Sequence, residues 1–126
     1  YTKIIQIKDV KAGETVGYSR RGKVDTDKRI ALVPIGYADG INRRLGNGIG
    51  YMLIDGHKAF IIGNICMDLL MLDVSDMDVK EGDKVVVFSS ERPFSEIARQ
   101  LDTIPYEVLA SISPRVRRVY FTENIL

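Results

Sequence analysis

Tyrosine is the residue type in this chain whose placement could do chemistry, with six copies and no tryptophan. A phenol both donates and accepts a hydrogen bond, so what matters is whether each ring is presented at a surface or packed in the core. Tyr37 lies in Pro34-Ile35-Gly36-Tyr37-Ala38-Asp39-Gly40, where the flanking glycines permit a tight bend that offers the ring at the lip of a sheet. Tyr18 carries the same glycine-then-tyrosine signature in Val16-Gly17-Tyr18-Ser19, and Tyr106 follows Pro105. Residue types alone favour core packing over presentation for all three.

Other chemistry-bearing residues have plainer readings. Cys66-Met67-Asp68 interrupts an apolar strand with a polar residue. Its cysteine reads as a small hydrophobe, because no second histidine exists to build a Cys-His pair. Asp68 needs a partner, since an unpaired buried carboxylate is costly. Gly46-Asn47-Gly48-Ile49-Gly50 lacks the lysine and the strand-to-helix setting of a nucleotide loop, and reads as a mobile surface loop. Asp73, Asp76, Asp78 and Asp83 do not have calcium-loop spacing. The arginines Arg20-Arg21, Arg43-Arg44 and those at 115–118 fit solvated faces or a subunit interface better than a phosphate stripe, because no stacking aromatics are interleaved.

The elements that must position these residues are short. Six β-rich runs bounded by turn residues occur at 4–10, 29–35, 51–54, 59–62, 71–74 and 84–88, a spacing that predicts an all-β barrel or sandwich. Asp55-Gly56 predicts a hairpin, and Glu81-Gly82-Asp83 and Lys11-Ala12-Gly13-Glu14 predict turns. Between residues 93 and 112 the period changes: Phe94, Ile97, Ala98 and Leu101 recur at helical spacing, with Ser95 as the expected cap. A second short helix is expected with Thr103 as cap and Pro105 in its first turn, and strand character is expected again over 117–121.

The 126 residues fit one domain spanning 1–126, and 18 basic against 17 acidic residues give no electrostatic reason to expect nucleic acid or an anionic membrane as partner. Cys66 is the single cysteine, so no internal disulfide forms and the cytoplasm is the simplest compartment. With His57 as the one histidine, no zinc set is available and no metal is expected. Uncharged runs such as 60–67 fall far short of the roughly 20 residues a membrane span needs. The chain opens at Tyr1 directly on a strand-like run, which is expected of an excised domain.

Four motifs in series carry a resemblance. They are Val16-Gly17-Tyr18, Ile35-Gly36-Tyr37-Ala38-Asp39-Gly40 with Arg43-Arg44-Leu45, Gly63-Asn64-Ile65-Cys66-Met67-Asp68, and Thr103-Ile104-Pro105-Tyr106-Glu107-Val108. In this order and spacing the chain resembles the C-terminal domain of alanine racemases over nearly its whole length. The resemblance implies a Greek-key-like β-barrel or sandwich with one or two short helices. It also implies an absent N-terminal barrel, which in that family holds pyridoxal 5'-phosphate on a lysine. Such enzymes are homodimers, each active site lying between one subunit's barrel and the other's β-domain.

Matched to that family, Tyr18 is the catalytic acid/base on the face of the substrate α-carbon opposite the lysine. Tyr37 lines the inner gate of the substrate corridor and Arg43 stands further out. The Met67 backbone amide binds the substrate carboxylate in the neighbouring subunit's site, and Asp68 follows it in the same motif. Tyr106 contacts the cofactor phosphate within its own subunit and narrows the entrance. Asn64 stands where the family often has arginine, so no gate charge is assigned there. The implied activity is interconversion of L- and D-alanine for peptidoglycan synthesis, with the fragment inert alone and not itself expected to hold the cofactor. The competing readings are a β-barrel binding or assembly module, a related amino-acid decarboxylase, and one half of a fused cell-wall enzyme.

Overall fold

The computed structural model describes residues 1–16 and 22–120. Along the chain these form strands β1 (Thr2–Lys3), β2 (Gln6–Val10), β3 (Thr15–Val16), β4 (Gly22–Lys23), β5 (Lys28–Val33), β6 (Tyr51–Ile54), β7 (His57–Ile62), β8 (Leu70–Asp73) and β9 (Lys84–Val85). Two short helices follow, α1 (Phe94–Gln100) and α2 (Pro105–Ala110). The β-rich class with two short helices is therefore as the sequence predicts.

The main sheet is antiparallel, in the order β2-β5-β8-β7-β6. Because β6, β7 and β8 follow one another as a meander while β8 lies beside the earlier β5, these four strands make a Greek key. The sheet does not close into a barrel. The ribbon β1/β9 meets the β6 edge, where Leu53 and Val86 exchange two backbone bonds, and continues through Ile5, whose amide donates to Leu32 O on β5 at 2.9 Å, into β2.

Alternation along the strands builds the core. Ala31 and Val33 on β5, Ala59 and Ile61 on β7, and Leu70 and Leu72 on β8 face a single cluster that also takes Met52, Ile54, Ile97 and Leu101. Ile30 points to the opposite face and joins Val10 and Val24, which buries β5 on both sides. The β6–β7 hairpin turns on Asp55 and Gly56, with φ of 49° and 78°, the positive values that an Asp-Gly turn provides for.

Several local expectations are corrected. The start of α1 is Pro93, whose carbonyl accepts from the Glu96 amide, and Ser95 lies inside the first turn. Thr103 does not cap α2. Its amide is spent closing α1, donating to Ala98 O at 2.9 Å while Asp102, at φ 54°, donates to Arg99 O, which is a Schellman ending. Ile104 is the residue before α2, and Pro105 opens the helix, where a missing amide costs nothing. Residues 117–120 are not strand, and residue 121 lies outside the described residues. The glycine loop is pinned rather than mobile: Asn47 and Gly48 donate to Gly63 O and Ile61 O at 2.8 and 2.7 Å, which ties it along β7. Among the described residues, no helix is long and apolar enough to cross a membrane.

Candidate functional site

The Greek key brings two connections together at one end of the sheet. The β5–β6 connection carries Tyr37 and Arg43, and the β7–β8 connection carries Cys66, Met67 and Asp68. Cys66-Met67-Asp68 therefore lies in a loop, not in the apolar strand that the sequence pattern predicts. The reason is long-range. The Cys66 and Met67 carbonyls accept from the amides of Tyr37 and Ala38, each at 3.0 Å, so they are unavailable to a strand ladder.

Tyr37 opens a short 3₁₀ turn, Tyr37–Asp39, entered from Gly36. Gly36 has no alternative, because a Cβ there would overlap the carbonyl oxygens of Cys66 and Met67. The turn is closed from below by Asp39, whose Oδ2 accepts from the Gly36 amide at 2.9 Å. A second 3₁₀ turn, Arg43–Leu45, follows, with the Asn42 side chain accepting from the Arg44 amide and Leu45 buried as its anchor. The Arg43 guanidinium stands 5.9 Å from the centre of the Tyr37 ring, within cation–π range. Arg44 turns the other way and donates to Leu101 O at the end of α1.

Tyr37 and Met67 are both exposed, at 43% and 52%, on these mutually clamped loops. The Met67 amide donates to no backbone carbonyl among the described residues. Tyr106, in the first turn of α2, is 80% exposed. The far end of α2 reaches the Tyr37 loop: the Ser111 carbonyl is so close to Gly40 that a side chain there would overlap it, and Ser113 N donates to Asp39 O at 3.1 Å. The structure thus sets the loops of Tyr37, Arg43 and Met67 side by side with the C-terminal end of α2 against them, while Tyr106 stands in the first turn of that helix. Tyr18 lies between β3 and β4 in the chain, outside the described residues.

One residue escaped sequence reasoning. Arg115 donates from Nε to Asp39 Oδ1 at 2.7 Å and from Nη2 to Asp68 Oδ1 at 2.6 Å. It supplies the partner that Asp68 requires, although Asp68 is exposed rather than buried. The Arg115 guanidinium beside Asp39 holds that carboxyl below its ordinary range, against a smaller opposing effect of burial, and the Gly36 amide adds to the lowering. Both carboxylates sit in motifs the sequence already marks, but no local pattern says which arginine of the 115–118 cluster reaches them.

A cavity of about 470 Å³ lies beside the Tyr37 loop, between β6 and the helices. Met52, Ile61, Val87 and Val108 make its wall mostly apolar, and Arg92 and Tyr51 are its buried polar part. Tyr37, Asp39 and Arg43 also line it, whereas Met67 and Tyr106 do not, so the cavity adjoins the Tyr37 side of the candidate surface. No lysine lines it. Among the described residues, no cluster of three metal-ligating side chains occurs.

Comparison with known proteins points to one family. The family model for the alanine racemase C-terminal domain matches residues 1–120. The alanine racemase of Desulfosudis oleivorans is 46% identical over 124 residues, covering 94% of this chain and 32% of that protein. Alanine racemase 1 of Caldanaerobacter subterraneus is 40% identical over 129 residues, covering 98% of this chain and 33% of its own length. In structure, the chain resembles the Bartonella henselae alanine racemase with covalently bound pyridoxal phosphate at a TM-score of 0.89 and 35% identity, covering 94% of this chain and 33% of that one. It resembles the Clostridium difficile enzyme at 0.87 and 43% identity, covering 94% and 31%. The chain spans about a third of the length of the relatives it matches. A family match over almost every residue, on a fold shared at this level of identity, means that the chain belongs to the alanine racemase C-terminal domain family.

Proposed function

We propose that this chain acts as one domain of a pyridoxal-phosphate-dependent alanine racemase, completing an active site whose lysine lies on another domain. The observation that carries the reading is the clamp between the Tyr37 and Met67 loops, which leaves both residues exposed, with a Met67 amide that donates to no backbone carbonyl among the described residues. An amide in that setting suits a carboxylate, and a phenol beside it narrows access. Tyr37 and Arg43 then line the substrate corridor, and the Met67 amide receives the alanine carboxylate.

The residues present fit a supporting part in holding pyridoxal phosphate, because the exposed Tyr106 hydroxyl can donate to a phosphate oxygen. Bound to an amino acid, that cofactor acidifies the α-proton by accepting electron density. Tyr18 exchanges the α-proton on one face, and the lysine does so on the other. Two bases are required because a single rigid one serves only one face of a planar carbon. A free phenol has a pKa of about 10, so a tyrosine base near neutral pH needs roughly 4 kcal/mol of electrostatic help. Cationic groups of the barrel and cofactor supply it. The working enzyme is then a cytoplasmic homodimer serving peptidoglycan synthesis, each β-domain facing its own and its partner's barrel. The exposed Ile104, Tyr106, Leu109, Val119 and Tyr120 are the apolar side chains such an interface would cover.

The test is direct. Given L-alanine and pyridoxal phosphate, the complete protein forms D-alanine and this domain alone forms none. D-alanine from the isolated domain, above a Tyr18→Phe control, contradicts the requirement for a second domain. A complete protein that leaves L-alanine unchanged contradicts the racemase reading.

A further inference from the structure

Three segments bearing candidate residues meet at one guanidinium. The β5–β6 connection offers the Asp39 carboxylate, the β7–β8 connection offers that of Asp68, and the chain leaving α2 brings Arg115 between them. Two carboxylates facing one arginine would repel each other without it, and each is joined through its backbone to a site residue. Asp39 closes the turn that Tyr37 opens, by accepting from the Gly36 amide. Asp68 directly follows Met67. Resting on the racemase reading, we infer that Arg115 is a positioning residue for the reaction, setting where Tyr37 and the Met67 amide stand relative to each other.

The geometry separates this role from two others. Arg115 does not bind the substrate carboxylate, because its Nε and Nη2 are engaged and the group it belongs to carries two negative charges against one positive. Nor is it a keystone of stability. Its side chain is 48% exposed and that of Asp68 61%, so the Asp68 pair adds little to folding, and what stability the group lends comes chiefly through Asp39, whose side chain is 13% exposed. What remains is direction. A planar guanidinium donates from two nitrogens at fixed angles, Nε to one carboxylate and Nη2 to the other, which a lysine ammonium as a point charge does not reproduce. Arg115 is itself held from behind, since its amide donates to Ser113 Oγ and the Ser113 amide donates to Asp39 O.

The experiment is amide hydrogen exchange on the complete protein, comparing wild type with Arg115→Met and Arg115→Lys. The Tyr37 and Ala38 amides, donors of the clamp, report the junction directly. In Arg115→Met they should exchange about tenfold faster or more, while the Leu72 amide in the core keeps its rate. Arg115→Lys should restore little. In an active enzyme, Arg115→Met should raise KM for alanine about tenfold while kcat falls much less, because the lost alignment weakens carboxylate binding. Asp68→Asn added to Arg115→Met should change KM little further. Wild-type exchange at Tyr37 and Ala38, an unchanged KM, or full rescue by lysine overturns the inference. The exchange readout needs no turnover, so a wild-type protein that does not racemise alanine sinks the racemase reading alone.

Discussion

The Ala38 amide donates to the Met67 carbonyl at 3.0 Å, joining connections that belong to different strand pairs of the Greek key. This bond and its neighbour from Tyr37 to Cys66 exist because Gly36 lets two backbones touch. Gly36→Ala should therefore separate the loops. A destabilisation of about 1–3 kcal/mol is expected from forced overpacking, measured by denaturant unfolding of the complete protein. Gly56→Ala is the comparison, since open space surrounds that glycine and only its positive φ opposes a side chain. Equal effects of the two substitutions would remove the contact argument.

Acid should weaken the same junction. The carboxyl of Asp39 is depressed chiefly by Arg115, and that of Asp73 is held down by Ser75 and Lys28 despite the opposing push of burial. A carboxylate depressed in the folded state stabilises it above the unfolded pKa of about 4, and this contribution is lost as pH falls through the folded value. The thermal midpoint should hold down to about pH 4 and fall below it. Asp39→Asn should start lower at neutral pH and fall less. An acid response identical to wild type would remove Asp39 from the account.

At alkaline pH the opposite sign applies. Tyr51 is buried, which pushes its phenol above the ordinary value, and its hydrogen bond to Glu96 pushes the same way. Its neutral form is favoured in the fold, so the stabilisation is present below about pH 10 and lost as pH rises through the folded value. A phenolate absorbance titration should show a late-ionising component that disappears in Tyr51→Phe. Persistence of that component in the variant would assign it elsewhere.

Arg92 is the one charged side chain buried among the described residues, at 2% exposure. Its guanidinium lies 4.2 Å from the centre of the Tyr51 ring and donates to Val87 O and Gln100 Oε1, while its Nε has no partner among the described residues. Burial lowers its pKa. Buried charges replaced by apolar groups of similar volume often cost nothing, so Arg92→Met should change unfolding free energy by about 1 kcal/mol or less in either direction. Arg92→Ala, which leaves a cavity, should cost about 3 kcal/mol. A large loss in the methionine variant would show that the charge itself holds β6 to α1.

What the sequence discloses and what it hides follow one physical division. The β6–β7 hairpin is legible because Asp55-Gly56 and the alternation around it are local signals, and the Pro105 helix start is legible for the same reason. The Thr103 cap fails because Thr103 belongs to the ending of the preceding helix and the next is entered only from Ile104, a placement that spacing alone does not rank. Cys66-Met67-Asp68 reads as strand by apolarity and becomes loop because residues distant in the chain take its carbonyls. Tyr37, Arg43 and Met67 are singled out through motif resemblance, and only the fold brings their loops together. Arg115 is legible to neither, since its meaning resides in two contacts across the molecule.

Tyr18 carries the central claim, and the complete protein bearing Tyr18→Phe tests it most directly. Racemisation should fall by about a thousandfold or more, in the range expected for loss of an acid/base, while pyridoxal phosphate stays bound by its absorbance. In deuterated water the α-proton of one alanine enantiomer should still exchange, and that of the other should not. Racemisation near the wild-type rate, or equal exchange from both enantiomers, would contradict the assignment of Tyr18 as the base this domain supplies.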